Sequence, residues 1–341
     1  MASDDETLRK GVRQSLESWV RKLECNGDIE KQHFFKKKFV NSLGAAPIAT
    51  HTELANEQHY EVPTEFFLEV LGKRLKYSGC VWPEGVSTLD EAEDATLALY
   101  CERAQLQDGH AVMDLGCGWG SLTLYILEKF PNCKVTCVSN SSTQRASIQE
   151  RAEKLGYAAR LQAITADANT FTTNEQFDRI ISIEMFEHMK NYKALFHKVS
   201  SWMKPNGLLF VQIFCHKHSP YAFDIKPGSD TEWMAKNFFT GGTMPSSDLF
   251  LFFQNDINLV DWWVVNGTHY TKTLDAWLAK MDASKAKVEE LFAKHYGNDA
   301  AQQTFNWRLF FIFCSEVFQY KNGNEWHILH QLFNKKLASA L

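Results

Sequence analysis

The chain has 341 residues, a formal net charge of −5 and an ordinary globular composition in which 45% of residues are hydrophobic. The weak acidity argues against a nucleic-acid-binding protein, and the eight cysteines form no CxxC pair, so neither a zinc knuckle nor a disulfide framework is expected. No apolar run approaches the roughly 20 residues of a membrane helix, and the acidic N-terminus does not resemble a signal peptide. We therefore expect a cytoplasmic protein without stable membrane anchoring and without a metal site.

The N-terminal third is predicted to be helical. Apolar residues at helical spacing predict helices over 5–24 and 28–44, separated by an Asn-Gly pair, and a long helix is predicted over 88–105. We assign residues 1–105 to an N-terminal helical lobe that caps a ligand site.

The central feature is the stretch VMDLGCGWGS at 112–121. A buried-strand pattern over 110–115 runs into Gly116, Gly118 and Gly120, and an apolar-periodic helix follows. Glycine accepts positive φ and lets a ligand approach the backbone, while the start of a helix offers unpaired N–H groups. A small ligand is expected to bind at this turn, although a tight turn without a ligand is the simpler alternative.

The spacing narrows the choice of ligand. A dinucleotide site needs a third glycine where Ser121 stands and an acidic residue where Asn140 stands, and a phosphate loop needs a lysine that this turn lacks. S-adenosylmethionine (SAM) is the remaining common ligand of such a turn, because its amino-acid end carries no phosphate and needs only close backbone approach.

Strands and helices then alternate through residue 216, which predicts a SAM-binding core over 106–216 with a parallel sheet covered on both faces. The predicted strands lie at 110–115, 134–139, 160–166, 178–183 and 208–214, and the predicted helices at 119–130, 142–156 and 192–203. Ligands of such sheets bind outside the carboxyl ends of the strands.

Several residues at or near these strand ends are candidate SAM contacts. Asn140 and Gln144 are placed to reach ribose hydroxyls, and Asp167 to accept from the adenine amino group unless it caps a helix. Tyr77 and Ser78 are placed to cover the methionine carboxylate. The complete candidate set is Tyr77, Ser78, Asp114, Gly116, Gly118, Gly120, Asn140, Gln144, Asp167, Ala168 and Ile183.

The sequence SIEMFEHM after the fourth strand carries the candidate chemistry. If a helical turn follows the strand, Glu184, Glu187 and His188 share one face at i, i+3 and i+4. Methyl transfer from a sulfonium needs an unprotonated nucleophile. It therefore requires proximity, a proton acceptor and negative charge near a cationic centre, and this triplet supplies all three. Local capping and pairing is the alternative role of Glu187 and His188.

Residues 217–256 interrupt the alternation and are predicted to form an inserted lid, in which Phe238 is a candidate substrate contact. The segment 257–341 is expected to complete the sheet with strands at 257–266 and 325–333 and helices at 273–294 and 299–319. Its many aromatic residues permit an apolar pocket for an aromatic or cationic substrate. His216 and His218 are assigned to a solvated loop, because two histidines without a third ligand make a poor metal site.

Eight motifs resemble the plant coclaurine N-methyltransferases and their pavine-type relatives, within the wider cyclopropane fatty acid synthase-like methyltransferases. The resemblance extends from about residue 10 to the end of the chain. The motifs are HYEVPTEFF at 59–67, LKYS at 75–78, DLGCGWGSL at 114–122, SNSSTQ at 139–144, SIEMFEHMKNY at 182–192, FFTGGTMPS at 238–246, VNGTHYTKT at 265–273 and FNWRLFF at 305–311.

The resemblance implies a class I SAM-dependent methyltransferase: an α/β, Rossmann-like fold whose seven-stranded, mostly parallel sheet has an antiparallel final strand. It implies N-methylation of a small amine, such as a tetrahydroisoquinoline or another aryl-alkyl or cyclic amine. Glu187 and His188 correspond to the catalytic pair of the family, with Glu184 gripping the amine, and Trp307 and Phe310 correspond to substrate contacts. The SAM contacts carried over are Tyr77, Ser78, Gly116, Asn140, Gln144 and Asp167.

Two other functions stay open at this stage. A cyclopropane-type C-methyltransferase would act on unsaturated lipid acyl chains, and a protein that only binds SAM or an amine would yield no methylated product. The expected partner is a small-molecule amine, and a homodimer is an expectation that the resemblance suggests.

Overall fold

A computed structural model describes residues 2–50 and 62–336. Residues 59–61 of the HYEVPTEFF motif therefore lie outside the described residues. The α-helices are α1 Ala2–Leu23, α2 Ile29–Leu43, α3 Thr64–Val70, α4 Leu89–Arg103, α5 Ser121–Lys129, α6 Ser142–Lys154, α7 Tyr192–Trp202, α8 Glu232–Asn237, α9 Thr268–Ala283, α10 Lys285–Tyr296 and α11 Ala300–Gly323. Among these described helices, none has the combined length and apolar character that a membrane span requires.

Seven strands form the main sheet. They are β1 Ala111–Leu115, β2 Lys134–Ser139, β3 Leu161–Thr165, β4 Phe177–Ile183, β5 Met203–His216, β8 Ile257–Val265 and β9 Trp326–Lys335, and the two short strands β6 Tyr221–Ala222 and β7 Thr243–Met244 form a separate ribbon. The order across the main sheet is β3-β2-β1-β4-β5-β9-β8. Strands β1 to β5 pair in parallel, whereas β9 is antiparallel to both β5 and β8. The predicted antiparallel final strand is confirmed.

The strand order reverses beside β1, because β2 lies on one side of it and β4 on the other. The carboxyl ends of parallel strands meet at one edge of a sheet, and a ligand crevice forms where the order reverses. The glycine turn after β1 and the SIEMFEHM segment after β4 are therefore brought together at this edge.

The helix predicted over 273–294 is two helices. α9 begins earlier, at Thr268, and ends at Ala283, and α10 begins at Lys285. The intervening Ser284 has ψ near 18°, and its hydroxyl donates to Glu69 of α3 over 3.0 Å. Serine is disfavoured inside helices because its hydroxyl forms hydrogen bonds that compete with the helical ones, so it is suited to a position where a helix breaks.

The largest apolar cluster does not lie under the sheet but among the N-terminal helices, segment 217–256 and the C-terminal helices. Phe66, Phe238, Trp277 and Trp307 are buried in this cluster. Arg9 and Arg13 of α1 both bind the carboxylate of Glu316 on α11, which holds the first helix against this assembly. These segments thereby form an aromatic layer over the carboxyl edge of the sheet.

Candidate active site

The glycine turn after β1 is built for close approach. The amides of Gly116 and Cys117 donate to the carbonyl oxygen of Val138 on β2, at 2.9 and 3.0 Å. Gly116, Gly118 and Gly120 all have positive φ, a backbone conformation that residues other than glycine rarely adopt. A Cβ at Gly116 would lie 2.5 Å from Met185 Cγ, whereas a Cβ at Gly118 would enter open space.

Two cavities meet at this turn. One, which we call the strand-end cavity, is lined by Asn140, Gln144 and Ala168 beyond the ends of β2 and β3. The other, which we call the aromatic cavity, encloses about 1540 Å³ of space, part of it open to solvent, and is lined by Tyr77, Ser78, Asp114 and Ile183 together with many rings. Gly116, Gly118, Gln144, Glu184 and His188 line both cavities. A ligand that spans the two would pass Glu184 and His188.

Two candidate SAM residues, Asp167 and Asp114, have internal hydrogen-bond partners, and a third, Gly120, lies outside both cavities. The Asp167 carboxylate accepts the Asn169 amide over 2.6 Å and lines neither cavity. A turn follows it and no helix begins there, so the helix-cap alternative is wrong, and its adenine contact stays a prediction. Gly120 lines neither cavity; it precedes α5, and a Cβ there would lie 2.7 Å from Ile148. Asp114 accepts a hydrogen bond from the Thr123 hydroxyl, and its burial raises its pKa to about 6.

A buried lysine shapes the wall beside the glycine turn. The Lys76 ammonium donates to the hydroxyl and carbonyl of Ser78 at 2.7 and 3.2 Å and to the Gly79 carbonyl at 2.7 Å. Lys76 is 1% exposed, so its charge acts in a medium of low polarity. The lysine fixes the Tyr77–Gly79 segment, whose Gly79 amide in turn points at Glu184.

Glu184 is the carboxylate that faces the cavities. Its Oε1 accepts from the Gly79 amide at 3.0 Å and from Gln212 Nε2 at 2.8 Å, and its Oε2 accepts from the Tyr270 hydroxyl at 2.7 Å. Burial raises its pKa, and the charge of Lys76 and the three donors oppose that rise. Three donors fix the carboxylate in one orientation and favour its ionised form.

The premise that Glu184, Glu187 and His188 share a helical face is wrong. Glu184 has a left-handed φ of 48°, and only Phe186–His188 form a short 3₁₀ turn. The left-handed residue turns the chain, so that Glu184 and His188 face the cavities while Glu187 lines neither.

Glu187 is completely buried behind the turn. Its Oε1 accepts from the Phe214 amide at 2.7 Å, and its Oε2 has no hydrogen-bond partner among the described residues. Burial, and then the charge of Glu184, raise its pKa well above the ordinary value, which favours the neutral acid. Buried polar atoms without a partner are rare in folded proteins, and a catalytic role is one accepted reason for them.

Aromatic rings form most of the remaining wall. Phe238 of segment 217–256 and Phe310 of α11 both line the aromatic cavity, and their rings stack at 4.4 Å between centroids. The predicted substrate residue Trp307 does not line the cavity; it packs behind Phe238 at 5.2 Å. The His188 ring meets Phe239 edge-on at 4.6 Å, so the imidazole lies between the glycine turn and segment 217–256.

The solvated-loop assignment for His216 is wrong. The residue ends β5, is completely buried beside Trp326, and its Nδ1 accepts the amides of His218 and Ser219. Sequence reasoning also missed Gln212 and Tyr270 as partners of Glu184. Gln212 is the only polar residue within LLFVQIF, and a single polar residue in an apolar strand indicates a buried side chain with a specific hydrogen-bond partner.

Comparison with known proteins identifies the family. The family model of mycolic acid cyclopropane synthetase matches residues 49–328. An (S)-coclaurine N-methyltransferase of Thalictrum flavum subsp. glaucum is 40% identical over 339 residues, covering 97% of this chain and 92% of that protein. An (S)-tetrahydroprotoberberine N-methyltransferase of Eschscholzia californica is 39% identical over 339 residues, covering 98% and 95% of the two chains.

A solved structure agrees with these matches. The crystal structure of coclaurine N-methyltransferase bound to N-methylheliamine and S-adenosylhomocysteine (SAH) superposes with a TM-score of 0.91 at 38% identity, covering 97% of this chain and 95% of that one. The chain thus has the class I SAM-dependent methyltransferase fold that the motifs implied. The cyclopropane-type alternative is not favoured, because the relatives that match over the whole length are N-methyltransferases.

Proposed function

The chain belongs to the mycolic acid cyclopropane synthetase family as a SAM-dependent N-methyltransferase, and we propose that its substrate is a tetrahydroisoquinoline or a similar aryl-alkyl or cyclic amine. The observation that carries this proposal is the position of Glu184. A hydrogen-bonded carboxylate stands at the boundary between the strand-end cavity and a cavity walled by aromatic rings. This arrangement suits a molecule with a basic nitrogen at one end and an apolar ring system at the other.

The residues at the glycine turn fit the methyl donor. The place where a Cβ of Gly118 would stand is open and faces both cavities, so a ligand can approach the backbone there. In the proposal Asn140, Gln144 and Ala168 contact the adenosine part, and Tyr77, Ser78 and Gly116 contact the methionine part. When bound, the donor supplies a sulfonium methyl group, and the S–C bond electrons return to sulfur to leave SAH.

Glu184 orients the amine in this mechanism. Its two oxygens keep lone pairs beyond those used by the three internal donors, so it can accept an N–H of the substrate. The nitrogen lone pair forms the new N–C bond, and the nitrogen becomes positively charged as it does so. A fixed negative charge nearby stabilises that developing charge without reorganisation.

His188 is the proposed proton acceptor, because it lines both cavities next to Glu184. The proton that the amine carries must leave before the lone pair can react, and a positioned base of this kind contributes about 10² to 10⁴ in rate. Glu187 is the second member of the proposed catalytic pair and lies behind the Phe186–His188 turn. Its buried Oε2 has no hydrogen-bond partner in the part of the chain that the structure describes, which supports a role in holding a proton and not in touching the substrate.

A mass-spectrometric screen tests the substrate class. Purified protein and SAM are incubated separately with tetrahydroisoquinoline, phenylethylamine, piperidine and vesicles of unsaturated phospholipid. We expect a gain of one methyl group on tetrahydroisoquinoline at the highest rate, and on phenylethylamine and piperidine at lower rates. Modified acyl chains without methylated amine would refute the proposal, and so would SAH binding without any product.

A pair of glycine substitutions tests the donor site. Gly118→Ala introduces a methyl group into the space between the cavities, so we expect it to weaken SAH binding at least tenfold. Gly109→Ala is the matched control, since Gly109 also has positive φ and open space at Cβ but lines neither cavity. Equal SAH affinity in the two variants would contradict the assignment of the turn.

Cytoplasmic location and a homodimer complete the proposal. The exposed apolar side chains Val260, Trp262 and Val264 follow one another at alternate positions of the edge strand β8, which supports self-association there. Light scattering after size-exclusion chromatography gives the oligomeric state, and a monomer at micromolar concentration would count against the dimer.

A further inference from the structure

A chain of hydrogen-bonded side chains runs from the end of α4 to the proposed active-site carboxylate. Arg103 Nη1 lies 2.6 Å from His330 Nδ1, and His330 Nε2 lies 2.7 Å from Gln212 Oε1. Gln212 Nε2 donates to Glu184 over 2.8 Å. His330 and Gln212 are completely buried, so the bond between them is shielded from water, whereas Arg103 is half-buried and Glu184 faces the cavities.

Each bond in this chain fixes the direction of the next. Arginine can only donate, so His330 Nδ1 accepts and the proton of the neutral imidazole must stand on Nε2. That N–H donates to Gln212 Oε1, which also accepts the Tyr100 hydroxyl at 2.6 Å. With its carbonyl oxygen held by two donors, the Gln212 amide directs its NH₂ group toward Glu184, which as a carboxylate can only accept.

The protonation state of His330 is secured by its surroundings. Burial lowers the pKa of this histidine well below the ordinary value, and the charges of Arg103 and Lys76 act in the same direction. Arg103 is itself held over the Trp263 ring at 4.9 Å. The imidazole ring packs against Tyr100 and Phe210 at 5.4 and 5.3 Å, which leaves it no room to turn over.

We infer that Gln212 and His330 are positioning residues for the methyl transfer: they hold the Glu184 carboxylate in the orientation and charge state that receive the amine. This inference rests on the proposed function for its kinetic consequence. The geometric part, donation through Gln212 to Glu184, is independent of which amine the enzyme uses.

The kinetic test compares two phenylalanine substitutions on the same strand. His330→Phe keeps a ring between Tyr100 and Phe210 but removes both nitrogens, so Gln212 loses one of the donors that fix its amide. His327→Phe is the matched control, because His327 is also buried on β9 but bonds Ser247 over 3.0 Å. With tetrahydroisoquinoline as substrate, we expect kcat to fall about tenfold in His330→Phe and less than twofold in His327→Phe, with SAH affinity unchanged in both.

Two further variants separate positioning from general damage. His330→Gln can place an N–H near the position of Nε2, and we expect it to recover part of the lost kcat. In a Glu184→Gln background, His330→Phe should cause a smaller loss than in wild type, because the glutamine keeps the Gln212 bond but has already lost the charge that Gln212 positions. An equal loss in that background, or an equal loss in His327→Phe, would overturn the inference.

An infrared titration of the carboxyl band of Glu184, identified by its absence in Glu184→Gln, needs no turnover. Loss of the Gln212 donor should raise the pKa of Glu184 in His330→Phe but not in His327→Phe. If wild type methylates none of the amines while this shift is observed, the proposed function fails and the positioning chain stands. If turnover is normal and the shift is absent, the chain fails and the function stands.

Discussion

Glu184→Gln is expected to remove the charge at the boundary of the two cavities while keeping the bonds around it. Oε1 of Glu184 accepts from Gly79 and Gln212, so the glutamine carbonyl oxygen must take that position. The new NH₂ group then faces the Tyr270 hydroxyl, which can accept instead of donating. All three internal bonds survive the substitution, so the fold should be retained.

The magnitude follows from the loss of one charged contact to the nitrogen. Two unit charges 4 Å apart interact by about 4 kcal/mol at an effective dielectric constant near 20, and a hydrogen bond to a charged group contributes about 1.5–3 kcal/mol net. The glutamine still offers a neutral contact, so we expect a loss of about 2–3 kcal/mol of transition-state stabilisation. This corresponds to a decrease of about 30- to 150-fold in kcat/KM.

The assay measures methylated tetrahydroisoquinoline by mass spectrometry and SAH affinity by calorimetry. SAH is the chosen probe because its sulfur is uncharged, so its binding should change less than twofold when the carboxylate loses its charge. A loss in kcat/KM of less than threefold, with SAH binding and the unfolding midpoint intact, would refute the role given to Glu184.

Three other substitutions or conditions have defined outcomes. Because burial raises the pKa of Glu184, protonation of this carboxylate should reduce kcat/KM at a higher pH than for an ordinary glutamate. In pH-rate measurements Glu184→Gln should lose this contribution, while the decreases caused by protonation of His188 and of the amine should remain. Phe238→Ala removes half of the stacked pair in the cavity wall and should raise KM for tetrahydroisoquinoline about 10- to 100-fold while changing KM for dimethylamine little, as steady-state kinetics would show. Glu316→Gln weakens the attachment of α1 to α11 and should lower the free energy of unfolding by about 1–3 kcal/mol in urea titrations at pH 7. Burial alone would raise the pKa of Glu316, but Arg13 and Arg9 lower it. The difference in free energy of unfolding between wild type and Glu316→Gln should therefore be fully present above the ordinary glutamate pKa and should decrease as the pH falls through the lowered pKa.

The sheet and its ligand edge could be predicted because local signals and topology agree there. The run 112–121 combines a buried strand, three glycines and a helix start, and the alternation that follows allows few topologies. The break at Ser284 was not predictable in the same way. It depends on a hydroxyl bond to Glu69, 215 residues away in the chain, which no local pattern reports.

The site divides along the same line. Residues placed by a strand end, such as Asn140 and Glu184, are found at the predicted edge. Contacts that depend on a neighbour in space had no local signal. Trp307 packs behind Phe238 and does not line the aromatic cavity, so its substrate contact stays a prediction, and Tyr270 reaches Glu184 from α9. The left-handed φ of Glu184 escaped prediction because glutamate has no intrinsic preference for that conformation, and the surrounding packing imposes it.

A carboxylate in the aromatic cavity is costly, and its surroundings explain why the cost is accepted. Desolvation alone would protonate Glu184 and remove the charge that an amine needs. Lys76 cannot neutralise it by direct contact, since the ammonium is held by Ser78 and Gly79 oxygens, yet its charge still favours the ionised form. The three donors add orientation to that charge. The surrounding rings form a medium of low dielectric constant. Such a medium penalises an unpaired charge but strengthens the electrostatic attraction between the carboxylate and a nitrogen beside it. In the proposed function, an amine that enters the aromatic cavity meets a fixed negative charge. This interaction, more than ring size, should decide which apolar molecules are bound long enough to be methylated.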